Sequence, residues 1–282
     1  MMRSKGFSPR RHYGFTLLEL LISVTLALLL TAAITSVFLG SRQSFRTNEG
    51  VSQVQEEGRF ISLLMGPIVR QAGYLPDPVI NQNDPTTIFT SPNLLAVFGT
   101  NDTTSGLPAY RSFSSTGVLA STDVLEVAFS GRNTTAPADT PLKTCLGDTV
   151  NASQIAVNVF YISQPASDPV PSLYCYSNIV AAGSSPITTG TVRNEPMIAG
   201  IRNMQALYGV DVNGDGTSYR YYPANTVPDW RRIVSVQLTF TVDSADVVEA
   251  TRADTSATNG VISGRLRRTF TTTLQIRNRL HP

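Results

Sequence analysis

FTLLELLISVTLALLLTAAITSVFL, residues 15–39, is the longest apolar run in this 282-residue chain, and Glu19 is its only charge. At about 1.5 Å per helical residue the run extends about 38 Å, more than the roughly 30 Å of a hydrocarbon core, so it spans with some tilt. Arg3, Lys5, Arg10 and Arg11 stand just before it with no acid among them. That bias holds the N-terminus in the cytoplasm and places everything after Gly40 outside the inner membrane. A secretory signal peptide has an apolar core of only about 7–15 residues and then a small-residue cleavage site, for which Ala32 and Ala33 are the nearest match. A plain signal anchor is the other alternative, and it has no use for Glu19. A carboxylate this close to the bilayer interior is costly, and such a residue usually marks a function with a nameable partner.

Beyond the run, SRQSFRTNEGVSQVQEEGRFISLLMGPIVRQAGY stays helical to about Ala72. Phe45, Val51, Val54, Phe60, Ile61, Leu64 and Ile68 recur at roughly helical spacing and predict one apolar stripe on an otherwise polar helix. Pro67 removes the hydrogen bond to the Leu63 carbonyl, and with Gly66 beside it predicts a kink or an end there. From Tyr74 to about Thr122, Pro, Asn, Asp, Thr and Gly predominate, which reads as a long loop region. Strands are predicted at 123–129, 154–161, 233–242 and 266–276. In the third, Val234, Val236, Leu238, Phe240 and Val242 alternate with Ser235, Gln237, Thr239 and Thr241, the period of an antiparallel strand with one wet face. Phe270, Leu274 and Ile276 repeat the pattern in the last. An antiparallel sheet laid by its apolar side on a long helix is an α+β architecture.

Here the residues match a family. The basic leader, then Gly14, Phe15, Thr16, Leu17, Leu18 and Glu19, then an unbroken apolar helix, closely resemble the type IV prepilin signature. The resemblance implies that prepilin peptidase cuts between Gly14 and Phe15 and N-methylates Phe15, and that the apolar helix is kept. Glu19 then pairs with the Phe15 amine of a neighbouring subunit or its own, an arrangement in which two buried charges offset each other's desolvation. GSRQSFRT, QEEGRF and RQAGY, in that order, resemble the PilW family of minor pilins, with residues 8–74 covered closely and the remainder loosely. The implied fold is the type IV pilin fold. Residues 1–14 are the leader, 15–39 the transmembrane and filament-core helix, 40–72 its amphipathic continuation, and 73–282 a β-rich periplasmic or pilus domain.

Two cysteines, Cys145 and Cys175, lie in the polar C-terminal region. An even pair outside the membrane segment reads as one disulfide in an oxidising compartment, against the alternative of two buried thiols. Asp211, Asn213 and Asp215 in VDVNGDGTSY resemble the start of a calcium loop, but Tyr222 stands where a bidentate glutamate belongs, and the same residues suit a plain turn between strands. Arg265, Arg267, Arg268, Arg277 and Arg279 form the basic cluster of the mature chain. They read as charges that protect an exposed strand from edge pairing, rather than as a nucleic-acid surface. Without the first 14 residues the chain has 18 basic against 20 acidic residues, a net of −2, which offers no general pull on phosphate.

The histidines are His12 and His281, so no histidine-based triad or catalytic metal cluster assembles, and GxSxG, P-loop and GxGxxG motifs are all missing from the sequence. The expectation is a non-enzymatic subunit of a type IV pilus. It acts in assembly initiation or the tip complex, with other minor pilins, the major pilin, prepilin peptidase, the inner membrane and a tip adhesin as partners. Two alternatives have different chemistry: a J-type pseudopilin of type II secretion, and a tip subunit for adhesion or DNA uptake.

Overall fold

The computed structural model describes residues 14, 16–75, 95–102, 118–132, 140–165, 170–181, 190–247 and 265–279. The leader through residue 13, Phe15, and most of the predicted 74–122 loop region lie outside these. The chain forms two compact units, Met1–Asn48 and Glu49–Pro282. One helix, α1 (Leu17–Arg70), begins in the first and contributes its last turns to the second.

In the first unit α1 is apolar up to Leu39 apart from Glu19 and long enough to cross a membrane, and the leucines from Leu17 to Leu39 are exposed. Its few hydroxyls look inward along the helix. Ser23 donates to the Glu19 carbonyl (2.6 Å), Thr31 to Ala27 (2.7 Å), Thr35 to Thr31 (2.7 Å) and Ser36 to Ala33 (2.8 Å). A hydroxyl bonded to its own helix can enter an apolar medium without an unsatisfied polar group.

In the second unit Val54, Ile61, Met65, Ile68 and Val69 form the buried face of α1. Val54, Ile61 and Ile68 were predicted there. Phe60, predicted in the same stripe, is instead 49% exposed, because it lies about 100° round the helix from Ile61, and Phe45, in the first unit, is 69% exposed. Gly58 completes the buried face: a Cβ there would lie 2.7 Å from the Phe270 ring, so the ring packs directly on helix backbone. Pro67 neither ends nor interrupts the element, which runs on to Arg70 with Pro67 on its exposed side. The Asn278 side-chain amide donates to the carbonyls of Arg70, Gln71 and Ala72 at 3.3–3.4 Å and so finishes the helix from the far end of the chain.

Eleven strands follow among the described residues: β1 (Val97–Thr100), β2 (Val124–Ser130), β3 (Leu142–Lys143), β4 (Thr149–Val150), β5 (Gln154–Ser163), β6 (Ser172–Ala181), β7 (Thr191–Ala199), β8 (Ile201–Val210), β9 (Arg220–Pro223), β10 (Ile233–Val247) and β11 (Arg265–Gln275). The four predicted strands are β2, β5, β10 and β11, with ends shifted by a few residues. Asp123 lies just before β2 rather than within it, and β10 extends five residues further. β6, β7 and β8 carry no clean period-two signal and were not predicted.

All pairings are antiparallel. One sheet has the order β1-β2-β5-β6-β7, a second β11-β10-β8-β9, and β3 pairs with β4 as a short hairpin. Gly200 separates β7 from β8 and carries the chain from the first sheet to the second. Its φ is +84°, and a Cβ would stand 2.8 Å from the Asp243 carbonyl oxygen, so only glycine fits the crossing without strain. The main core lies among α1 and both sheets, with Leu125, Phe129, Phe160 and Leu173 from one and Met204, Tyr208, Leu238 and Phe240 from the other. Val236, Leu238, Phe240 and Val242 point into it as the alternation predicts. The one-wet-face expectation holds for this second sheet only. β2 is buried along its whole length, because the first sheet carries a second apolar cluster of Val124, Ala128, Val157, Val159 and Tyr161 on its other face.

Candidate functional site

Glu19 sits in the first turn of α1, exposed, as the one charge of the apolar segment. Thr16 is the residue before the helix, and its hydroxyl accepts the Glu19 amide hydrogen at 3.3 Å, while its carbonyl accepts from Leu20 at 3.1 Å. Thr16, Leu17, Leu18 and Glu19 thus have the spacing of a capping box, and the carboxylate stands at the positive end of the helix dipole. Sequence reasoning missed this second role, although the T-x-x-E spacing before an apolar run was there to find. Gly14 is described and Phe15 is not, so the predicted cleavage bond and methylation site lie at the border of the described residues.

Cys145 and Cys175 are joined as a disulfide, with Cα atoms 6.5 Å apart. Cys145 lies in the β3–β4 turn and Cys175 in the core face of β6, so the bond pins the hairpin to the first sheet. The Cys145 amide donates to Asn158 Oδ1 (2.9 Å), and Arg193 of β7 clasps Asp148 at 2.8 and 3.0 Å.

Asp211, Asn213 and Asp215 come together in the β8–β9 turn. The Asp211 carboxylate accepts from the amides of Gly214 (2.7 Å) and Gly216 (2.9 Å), and Asn213 donates to Asp215 (2.9 Å). Thr217 donates twice to Asp215, at 2.8 Å from its amide and 2.5 Å from its hydroxyl, and with Asn213 holds that carboxyl below its ordinary range. Arg232 donates to the Val212 carbonyl at 2.6 Å, which brings a positive charge to the loop. No group of three or more His, Cys, Asp or Glu side chains gathers among the described residues. The Asp211 and Asp215 carboxylates accept their hydrogen bonds from within the turn, and the Val212 carbonyl accepts from Arg232.

The basic cluster is divided. Arg267 forms a two-pronged pair with Asp243 at 2.6 and 3.0 Å, and Arg265 donates to the carbonyls of Ser244 (2.7 Å) and Ala245. Both belong to β11, an edge strand of the second sheet, and both bond to residues of the neighbouring β10.

Comparison with known proteins adds to this geometry. Residues 159–278 match the family described as Type IV Pilus-assembly protein W, and residues 9–35 match the Prokaryotic N-terminal methylation motif. The first match covers β6 to β11, the part where sequence reading found only a loose resemblance. A solved type IV-like pilin from Thermus thermophilus aligns at 11% identity and a TM-score of 0.36, covering 79% of this chain and 96% of its own. No curated protein matches. With the methylation motif at its N-terminus, the long apolar helix after it and the family match over residues 159–278, the chain is similar to type IV pilin-like proteins of the PilW type.

Proposed function

We propose that the chain is a minor pilin that helps start or cap a type IV pilus, working by packing rather than by catalysis. The observation that carries this is Glu19, a lone carboxylate at the first turn of an exposed, otherwise apolar helix. Prepilin peptidase cleaves between Gly14 and Phe15 and methylates Phe15. The new amine pairs with Glu19 of a neighbouring pilin or its own, which sets axial register as the apolar helices come together. Before assembly the helix crosses the inner membrane once with the β-rich domain in the periplasm, the side on which the disulfide is stable. Phe45, Phe60 and Leu63, all exposed on α1, are apolar surface that other pilins, minor or major, would cover.

Intact mass spectrometry of the protein from sheared filaments and from inner membranes tests this reading. A chain beginning at N-methyl-Phe15, two hydrogens lighter for the disulfide and present in filaments, is the expected result. An uncleaved chain confined to membranes would leave a signal-anchored periplasmic domain in its place.

A further inference from the structure

Beyond β1, Asn101 and Asp102 face the short 3-10 turns Ala224–Thr226 and Trp230–Arg232 across a groove of about 390 Å³, also lined by Phe98. That volume lies at the lower end of the range for small-ligand sites, about 300–1,000 Å³. Its apolar wall is built in advance. The Trp230 ring lies 4.8 Å from Phe98, tilted by 43°, and 4.7 Å from the fully buried Tyr208 at 68°, so two other rings hold the indole in place at the groove. The Asp229 carboxylate accepts the Arg231 amide at 2.9 Å and fixes the turn that carries Trp230.

The polar wall is equally constrained. The Asn225 amide donates to Asn101 Oδ1 at 3.3 Å, which joins the two sides of the groove. The Asp102 amide donates to the buried Asp123 carboxylate at 3.0 Å, holding Asp102 at φ 46°, a conformation uncommon outside glycine. Non-glycine residues held in such a state by their surroundings cluster at ligand sites.

Among the described residues the lining contains an indole, a phenyl ring, the Thr100 hydroxyl, two side-chain amides and one carboxylate, and no basic side chain. Among these described residues the one charge that a phosphate or carboxylate ligand would meet is the negative Asp102. A ligand with an apolar C–H face and a rim of hydroxyls matches both walls: the face lies on the aromatic rings and the hydroxyls bond to amide and carboxylate. We infer that this groove binds a neutral pyranose, such as the terminal sugar of a glycan, stacked on Trp230 and hydrogen-bonded by Asn225 and Asp102. This binding is independent of the assembly reading, since nothing in the groove involves α1.

Trp230 is the only tryptophan of the chain, so its fluorescence reports on the groove alone. The full chain, in a zwitterionic detergent without a sugar headgroup, is titrated in turn with glucose, galactose, mannose, N-acetylglucosamine, glucuronic acid and a proline-rich peptide. A saturable change with at least one neutral sugar and none with glucuronic acid is expected. Asn225→Ala, whose native side chain is exposed, should weaken that sugar about tenfold or more. Trp230→Phe, followed by saturation-transfer NMR, should lose the transfer to the same sugar. The inference is overturned by a flat response to all four neutral sugars, by equal affinity in Asn225→Ala, by glucuronic acid binding as well as glucose, or by a response to the peptide in place of the sugars.

Discussion

Glu19 and Asp123 are both carboxylates at the start of an element, and their surroundings give them opposite behaviour. In Glu19→Ala the backbone amide still donates to Thr16, so the helix start survives and membrane insertion should be unchanged. Filaments should lose the subunit, because an amine left unpaired in an apolar bundle costs about 3–5 kcal/mol. Immunoblots of membrane and sheared-filament fractions separate the two effects, and normal incorporation would remove the charge pair from the account. Asp123 is 1% exposed and accepts the amides of Asp102 (3.0 Å) and Ala206 (2.8 Å), so it ties the first sheet to the second. Burial pushes its carboxyl above the ordinary 3.8. The raised value means that its titration favours the fold below the ordinary carboxylate range and that this contribution is lost as pH rises through the folded value. Asp123→Asn should therefore abolish that loss while costing about 1–3 kcal/mol for the amide left without an acceptor, both read from denaturant melts across the carboxylate range. Glu19 is legible in the sequence because a charge inside an apolar run is a local anomaly. Asp123 is not, since its partner Ala206 is 83 residues away.

At the scale of elements, α1 depends on Gly58 for its docking against Phe270. Gly58→Val would force the ring aside and should destabilise the domain by about 1–3 kcal/mol in thermal or denaturant melts, with secondary structure retained. The β3–β4 hairpin depends on the disulfide, which closes a separation of 30 residues. Cys145→Ser should cost about 3–4 kcal/mol on the chain-entropy account, measured by urea unfolding against wild type under oxidising conditions. The β8–β9 turn depends on its own hydrogen bonds. With the Asp211 oxygens taken by Gly214 and Gly216 and Arg232 held against Val212, millimolar calcium should leave the melting temperature where it was. An upward shift would favour the calcium-loop reading of Asp211, Asn213 and Asp215 over the plain turn. Here too legibility tracks distance. Alternation within β10 was enough to place its buried face, whereas β7 is an exposed edge strand with Pro196 and charged Arg193 and Glu195, and so lacks any periodic signal.

For the whole molecule, the two family matches fall at opposite ends of the chain and describe different physics. The N-terminal one rests on contiguous residues: the run from Phe15 to Leu39, Glu19 within it and the Thr16 cap before it are set by composition and spacing, and the sequence by itself determines an exposed apolar helix that carries one carboxylate. The alternation of β10 and the even cysteine pair belong with these, because each is a property of residues read in order. Only the tertiary structure decided the rest. It divides the strands between two sheets at Gly200, where Asp243 closes the space beside the turn. It buries Val54 and Ile61 while leaving Phe60 exposed, because the sheets meet one side of the last turns of α1 and hydrophobicity alone does not say which. It also sets Trp230 against Phe98, more than a hundred residues earlier, to form the groove. The physical reason is the same each time: period and propensity act between near neighbours, while burial is settled by contacts between segments far apart in the chain.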